Sequence, residues 1–153
     1  MRIDVDGRRL DGWNEITFDV VAPAPSSLEM QLDLQDPLSL DSVTFRGTRL
    51  PLRREGPAWF AALPAAPRVG DRIAVRAWFG GSPLEASNAP WDGGFVWAED
   101  SAGAPWVATA NQGIGASIWW PNKTTPLLAP LAMFLTKLAK QYRSSRSLMS
   151  TMP

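Results

Sequence analysis

The chain has 153 residues, enough for one domain with its own core, and is 45% hydrophobic, 20% charged and formally neutral, so no general basic field is available to hold nucleic acid. It contains no histidine and no cysteine, which excludes disulfides, imidazole-based nucleophilic catalysis and the usual His- or Cys-built zinc site, and leaves only carboxylate chemistry of the glycosidase kind open. The neutrality is uneven: residues 1–123 hold eleven basic and all fifteen acidic groups, whereas residues 124–153 hold four basic groups and no acidic one, a split that marks two segments of different character.

Met1-Arg2-Ile3-Asp4 has no apolar signal core, so the chain as it stands is expected to be cytoplasmic. Asp6-Gly7 reads as a turn between residues 3–5 and a strand that begins near Leu10. Ile16, Phe18 and Val20 then alternate with polar residues, and after breaks at Pro23 and Pro25 the alternation is cleaner still. There Leu28, Met30, Leu32 and Leu34 interleave with Glu29, Gln31, Asp33 and Gln35. A strand sends successive side chains to opposite faces, so this segment should have one buried and one wet face. Beyond Pro37, residues 43–45 and 50–53 read as a hairpin closed near Arg46-Gly47-Thr48. Pro64 and Pro67 break the chain before the alternating Ile73, Val75 and Ala77. Residues 94–98 and 106–111 make a last hairpin around the acidic connection 99–105. Short strands at this spacing predict an all-β sandwich or mixed sheet.

Gly113-Ile114-Gly115 lacks a third glycine and a following helical pattern, so it is not a phosphate loop. The longest apolar stretch, residues 126–135, has ten residues, against roughly 20 for a membrane span. After Lys123 the pattern changes. Pro130 is placed to start a short helix with Leu131, Leu135, Leu138 and Tyr142 on one side and Lys137, Lys140 and Arg143 on the other. A terminal helix packed on the domain is expected there, in preference to a membrane- or groove-binding one.

Two tryptophan-rich segments are distinctive: Pro90-Trp91-Asp92-Gly93-Gly94-Phe95-Val96-Trp97, and Gln112-Gly113-Ile114-Gly115-Ala116-Ser117-Ile118-Trp119-Trp120-Pro121-Asn122-Lys123. With the acidic hairpin and the Pro105-Trp106 pair between them, they resemble the end of the N-terminal β-domain in bacterial members of the aminopeptidase N family of zinc metallopeptidases, the gluzincin aminopeptidases. Leu32-Asp33-Leu34 and Asp41-Ser42-Val43 match the family in order and spacing, and the resemblance covers about residues 1–123.

What it implies is a saddle-shaped β-domain over residues 1–123 that packs against a thermolysin-like catalytic domain. Residues 124–153 are then a divergent basic tail. In the family a Gln or Glu before the glycine-rich Trp-Trp-Pro segment helps to hold the free α-amine of the substrate. Gln112 matches that position, with Gly113 and Gly115 forming the supporting turn. An amide carbonyl suits the task, because it accepts hydrogen bonds from an ammonium group. A purely structural Gln112, satisfying backbone groups beside the turn, is the competing reading.

The family's Gly-x-Met-Glu-Asn and His-Glu-x-x-His motifs are absent from the sequence. The resemblance therefore implies a fragment without catalytic or metal-binding residues and without a cofactor of its own, the zinc belonging to the parent's catalytic domain. Asn111 stands where many relatives have Cys, and the chain begins inside the family's first long hairpin strand. Where relatives continue Lys-Asp-His into an acidic stretch, this chain reads Lys123-Thr124-Thr125-Pro126. Loss of one guanine from AAG-GAC-CAC yields Lys-Thr-Thr, so a frameshift accounts for the basic tail; a separately acquired tail is the other origin.

Trp91, Trp97, Trp106, Trp119 and Trp120 read either as core and interface anchors or as a stacking platform. The first suits a detached peptidase domain, which would expose an apolar face and self-associate through it. The second suits a stand-alone β-sandwich binding module for carbohydrate or a protein partner, and would show an exposed, coplanar tryptophan pair in a groove.

Overall fold

Alternating hydrophobicity becomes antiparallel sheet along nearly all of the chain that a computed structural model describes, namely residues 1–23, 29–111, 113 and 115–123 and the backbone of Phe134 and Leu135. The strands are β1 (Arg2–Asp4), β2 (Arg9–Val20), β3 (Glu29–Asp33), β4 (Ser39–Phe45), β5 (Thr48–Arg49), β6 (Leu52–Glu55), β7 (Ala58–Ala62), β8 (Arg72–Gly81), β9 (Gly94–Glu99), β10 (Pro105–Ala110) and β11 (Phe134–Leu135). The one helical element among the described residues is a 3₁₀ turn at Gly115–Ile118. The main sheet runs β1-β2-β8-β4-β5 with β11 also on β2; β3-β7-β6 form a second sheet and β9-β10 a hairpin of their own. The fold is all-β.

β2 and β8 form the spine, in register from Leu10 opposite Gly81 to Asp19 opposite Arg72. Their inner faces bury Leu10, Phe18, Val20, Ile73, Val75, Ala77 and Phe79. These pack in one cluster with Leu32, Trp59 and Ala61 of the second sheet and with Phe95 of the hairpin. Each fully buried large side chain contributes roughly 1.5–3 kcal/mol, so this shared core, not the surface charges, holds the layers together. The outer face pairs Trp13 with Trp78, Glu15 with Arg76 and Asp19 with Arg72 across the strands. The Arg76–Glu15 bridge, at 2.9 Å, is exposed, and pairs of that kind add little.

The expected turns are present. The Gly7 N–H donates to Asp4 Oδ1 at 3.0 Å between β1 and β2. Arg46 and Gly47 have φ of 50° and 81°, the left-handed pair that a two-residue hairpin needs to follow strand twist.

Several expectations are corrected. Residues 50–53 do not form one return strand: Thr48–Arg49 pairs with β4, whereas Leu52–Glu55 joins β7 in the second sheet. The chain changes sheets at Leu50-Pro51, where the Leu50 N–H makes the last bond to Val43 and Pro51 has no N–H with which to continue the ladder. β7 has no counterpart in the sequence reading, because its Ala-Trp-Phe-Ala-Ala run neither alternates in polarity nor contains a β-branched residue. The wet face expected of residues 29–35 fails at Asp33, which is buried because Asn122 pairs with its backbone. Leu32 and Leu34 are buried and Met30 packs against the core as expected, while Leu28 lies outside the described residues. In the tail, Leu135 is not on a helix: Phe134 and Leu135 pair with Val20 and Asp19 of β2, whose backbone on that side is otherwise matched, among the described residues, by β1 at its start. Leu131, Leu138 and Tyr142 lie outside the described residues.

Candidate functional site

The candidate site is the end of β10 and the chain from Asn111 to Lys123. Gln112 itself lies outside the described residues; its neighbours Asn111 and Gly113 are exposed. The Gly115 N–H donates to the Asn111 carbonyl at 3.0 Å, closing the loop that contains Gln112. Gly113 and Gly115 have φ of 77° and 71°, values that a side chain disfavours, so the backbone favours glycine at both positions.

Downstream, the chain is stapled to both sheets. The Gln35 N–H donates to the Ser117 carbonyl at 2.8 Å, the Asp33 N–H to the Asn122 carbonyl at 2.6 Å, and the Asn122 N–H back to Asp33 at 3.1 Å. Asn14 of β2 donates its amide N–H to the Pro121 carbonyl at 2.8 Å. Ser117, Ile118 and Pro121 are buried beneath these bonds. The Trp-Trp-Pro run is therefore a clasp across the open side of β3.

The aromatic residues divide into two groups. Phe95 stacks on Trp97 with centroids 5.4 Å apart, and Trp119 meets Phe95 edge-on at 6.3 Å. Trp119 and Trp120 are 4.0 Å apart. The indole N–H groups of Trp97 and Trp119 are buried without an acceptor among the described residues, so packing alone holds these rings. Trp91 and Trp106, in contrast, are 74% and 53% exposed. Trp106 borders an apolar depression with Ala89, Pro90, Val96, Ala108 and Ala110. Trp91 lies within a tight loop in which Asp92 Oδ2 accepts from the Ser87 and Asn88 N–H groups, both at 2.7 Å.

Gly94 joins the two regions. A Cβ there would lie 2.4 Å from the Ala86 nitrogen. Only glycine allows Phe95 to bond Leu84 and Ala86 on one side while β10 pairs on the other.

The sequence reading did not single out Trp13 and Trp78, the exposed pair on the outer face of the main sheet. Their rings are tilted by 54° at 6.1 Å, and Arg76 covers Trp13 at 4.2 Å, so they do not form a flat stacking platform. Their signal was available, since each alternates out of phase with the buried residues of its strand. Beside them Ala74 floors a depression bordered by Glu15, Thr44, Arg46, Arg72 and Arg76.

The sequence has no His or Cys, and no three carboxylates converge among the described residues. No helix among those residues is long and apolar enough to cross a membrane.

The fold and clasp define an antiparallel all-β domain whose candidate loop follows the β9–β10 hairpin. Among solved structures it is similar to native leukotriene A4 hydrolase from Saccharomyces cerevisiae, with a TM-score of 0.53 and 16% identity over 74% of this chain and 18% of that one. The likeness is one of fold, and the chain spans less than a fifth of the structure it matches. No protein-family model and no curated protein matches the sequence.

Proposed function

We propose that this chain is a non-catalytic N-terminal β-domain fragment of an aminopeptidase N-like zinc metallopeptidase, whose parent enzyme removes N-terminal residues from peptides. The observation that carries the reading is the clasp: the segment most specific in its family resemblance, Gly115 to Asn122, is the one bonded to Asp33, Gln35 and Asn14. A loop on such a base can hold a substrate group against a facing domain with little ordering cost. The match to a limited part of a hydrolase fold agrees with this reading.

In this reading Gln112 accepts hydrogen bonds from the free α-amine of a peptide, and a thermolysin-like catalytic domain supplies zinc and the general base. The amide does not titrate, so its role is positioning. The tilt of Trp13 against Trp78 favours the fragment over a carbohydrate-stacking module.

Adding the purified chain to an aminopeptidase N-like enzyme stripped of its own N-terminal β-domain tests the proposal. Restored hydrolysis of aminoacyl arylamides is expected, and Gln112→Ala should weaken binding of free-amine substrates far more than of amine-blocked ligands. No restoration by the folded chain would overturn the assignment; equal loss for both ligand types would leave Gln112 a structural residue.

A further inference from the structure

Among the described residues, and apart from the two-residue β11, one outer strand carries no charge. β1 displays Arg2 and Asp4, β5 Arg49, and β6 Arg53, Arg54 and Glu55, while β3 has Glu29 and is bridged by Asn122 at Asp33. Charges of this kind are how sheets prevent their edges from pairing with other chains. β10, with the sequence Pro-Trp-Val-Ala-Thr-Ala, has none. It pairs with β9 on one side, and no strand among the described residues pairs with the other.

The register shows which groups face that open edge. Phe95 directs its N–H to the Leu84 carbonyl at 2.7 Å and its carbonyl to the Ala86 N–H at 2.9 Å, away from β10. Its opposite residue, Thr109, is therefore in a non-hydrogen-bonded pair and turns its own N–H and carbonyl outward. Two residues earlier Val107, opposite Trp97, does the same. The hairpin closure agrees in parity, since the Asp100 N–H donates to the Ala104 carbonyl at 2.8 Å.

We infer that β10 pairs antiparallel with β10 of a second copy of this chain, about a two-fold axis through Ala108. In that register Val107 of each copy exchanges backbone bonds with Thr109 of the other. Ala108 meets its own counterpart in a close non-hydrogen-bonded pair. Trp106, which is 53% exposed, falls opposite the small Ala110 of the second copy. Large against small, and small against itself, is the complementarity an isologous contact requires. The apolar depression of Pro90, Val96, Trp106 and Ala110 continues across the junction. The inference rests on the chemistry of this strand and not on the proposed peptidase origin.

Sedimentation velocity on the full chain and two variants tests it. The wild type should show a reversible monomer–dimer equilibrium. Ala108→Glu and Ala108→Lys each place like charges face to face on the axis, and each should weaken dimerisation by more than about tenfold. Mixed in equal amounts, they should regain a dimer as the opposite charges meet. Far-UV circular dichroism matching the wild type keeps misfolding apart from lost pairing. A wild type that stays monomeric, open-ended aggregation in place of a dimer, undiminished association of either folded variant, or no rescue on mixing would each overturn the proposal.

Discussion

Gly94 and Gly113 both have positive φ, at 151° and 77°, yet they differ in what surrounds them. At Gly94 a methyl group would strike the Ala86 nitrogen and Cα at 2.4 and 2.8 Å, and these are backbone atoms with no rotamer to move. At Gly113 nothing lies within 4 Å, so a methyl group meets only the intrinsic left-handed penalty. Gly94→Ala should therefore cost about 3 kcal/mol or more, and Gly113→Ala about 1 kcal/mol. Urea unfolding followed by tryptophan fluorescence distinguishes the two, and equal losses would mean that the approach of β9 to Ala86 is not tight. Charged residues behave differently, because most are exposed. The Glu29 carboxyl is held below its ordinary value by hydrogen bonding to Arg53, with burial opposing and charge attraction adding. Its contribution is present at neutral pH and is lost as the pH falls through that lowered value.

At the scale of elements, the clasp deserves comparison with an ordinary loop. Residues 115–123 contain only a short 3₁₀ turn, but they fill the side of β3 that another strand would otherwise occupy. Ile118 is fully buried there, within a segment fixed by backbone bonds at Ser117 and Asn122. Ile118→Ala should cost about 2–5 kcal/mol, the range for a buried aliphatic truncation in a site that cannot collapse. A denaturation midpoint unchanged in this variant would show that the segment lies on the domain without supporting it. The sheet change at Leu50-Pro51 illustrates a related point: a proline that looks like a turn residue in sequence hands the chain from one layer to the other.

For the whole molecule, the described core draws on β2, β3, β4, β7, β8 and β9. The contribution seen from the tail is the two-residue pairing of β11 with β2. Residues 124–153 carry four basic groups and no acidic one, and truncation after Lys123 is expected to change stability by no more than about 2 kcal/mol, the small net worth of a few backbone bonds set against the entropy of ordering them. Truncation after Asn111 removes the clasp as well and should abolish cooperative unfolding. Calorimetry on the two shortened chains checks both, and a large loss from the first would make the tail an integral part of the domain.

The sequence by itself determined the all-β class, the hairpins at Asp6-Gly7, Arg46-Gly47 and residues 99–105, and the buried faces of β2 and β8. These follow from local alternation and turn chemistry, which act within a few residues. It also marked the segment before Trp119-Trp120-Pro121 as the place to look for a site. Only the tertiary structure decided that Asp33 is buried, that Leu52 belongs to a different sheet from Thr48, and that Ala58–Ala62 is a strand. It also decided that Trp106 stands exposed beside an open edge while Trp97 turns inward. Each of those outcomes depends on what a distant part of the chain places against the residue, and periodicity carries no information about which partner arrives.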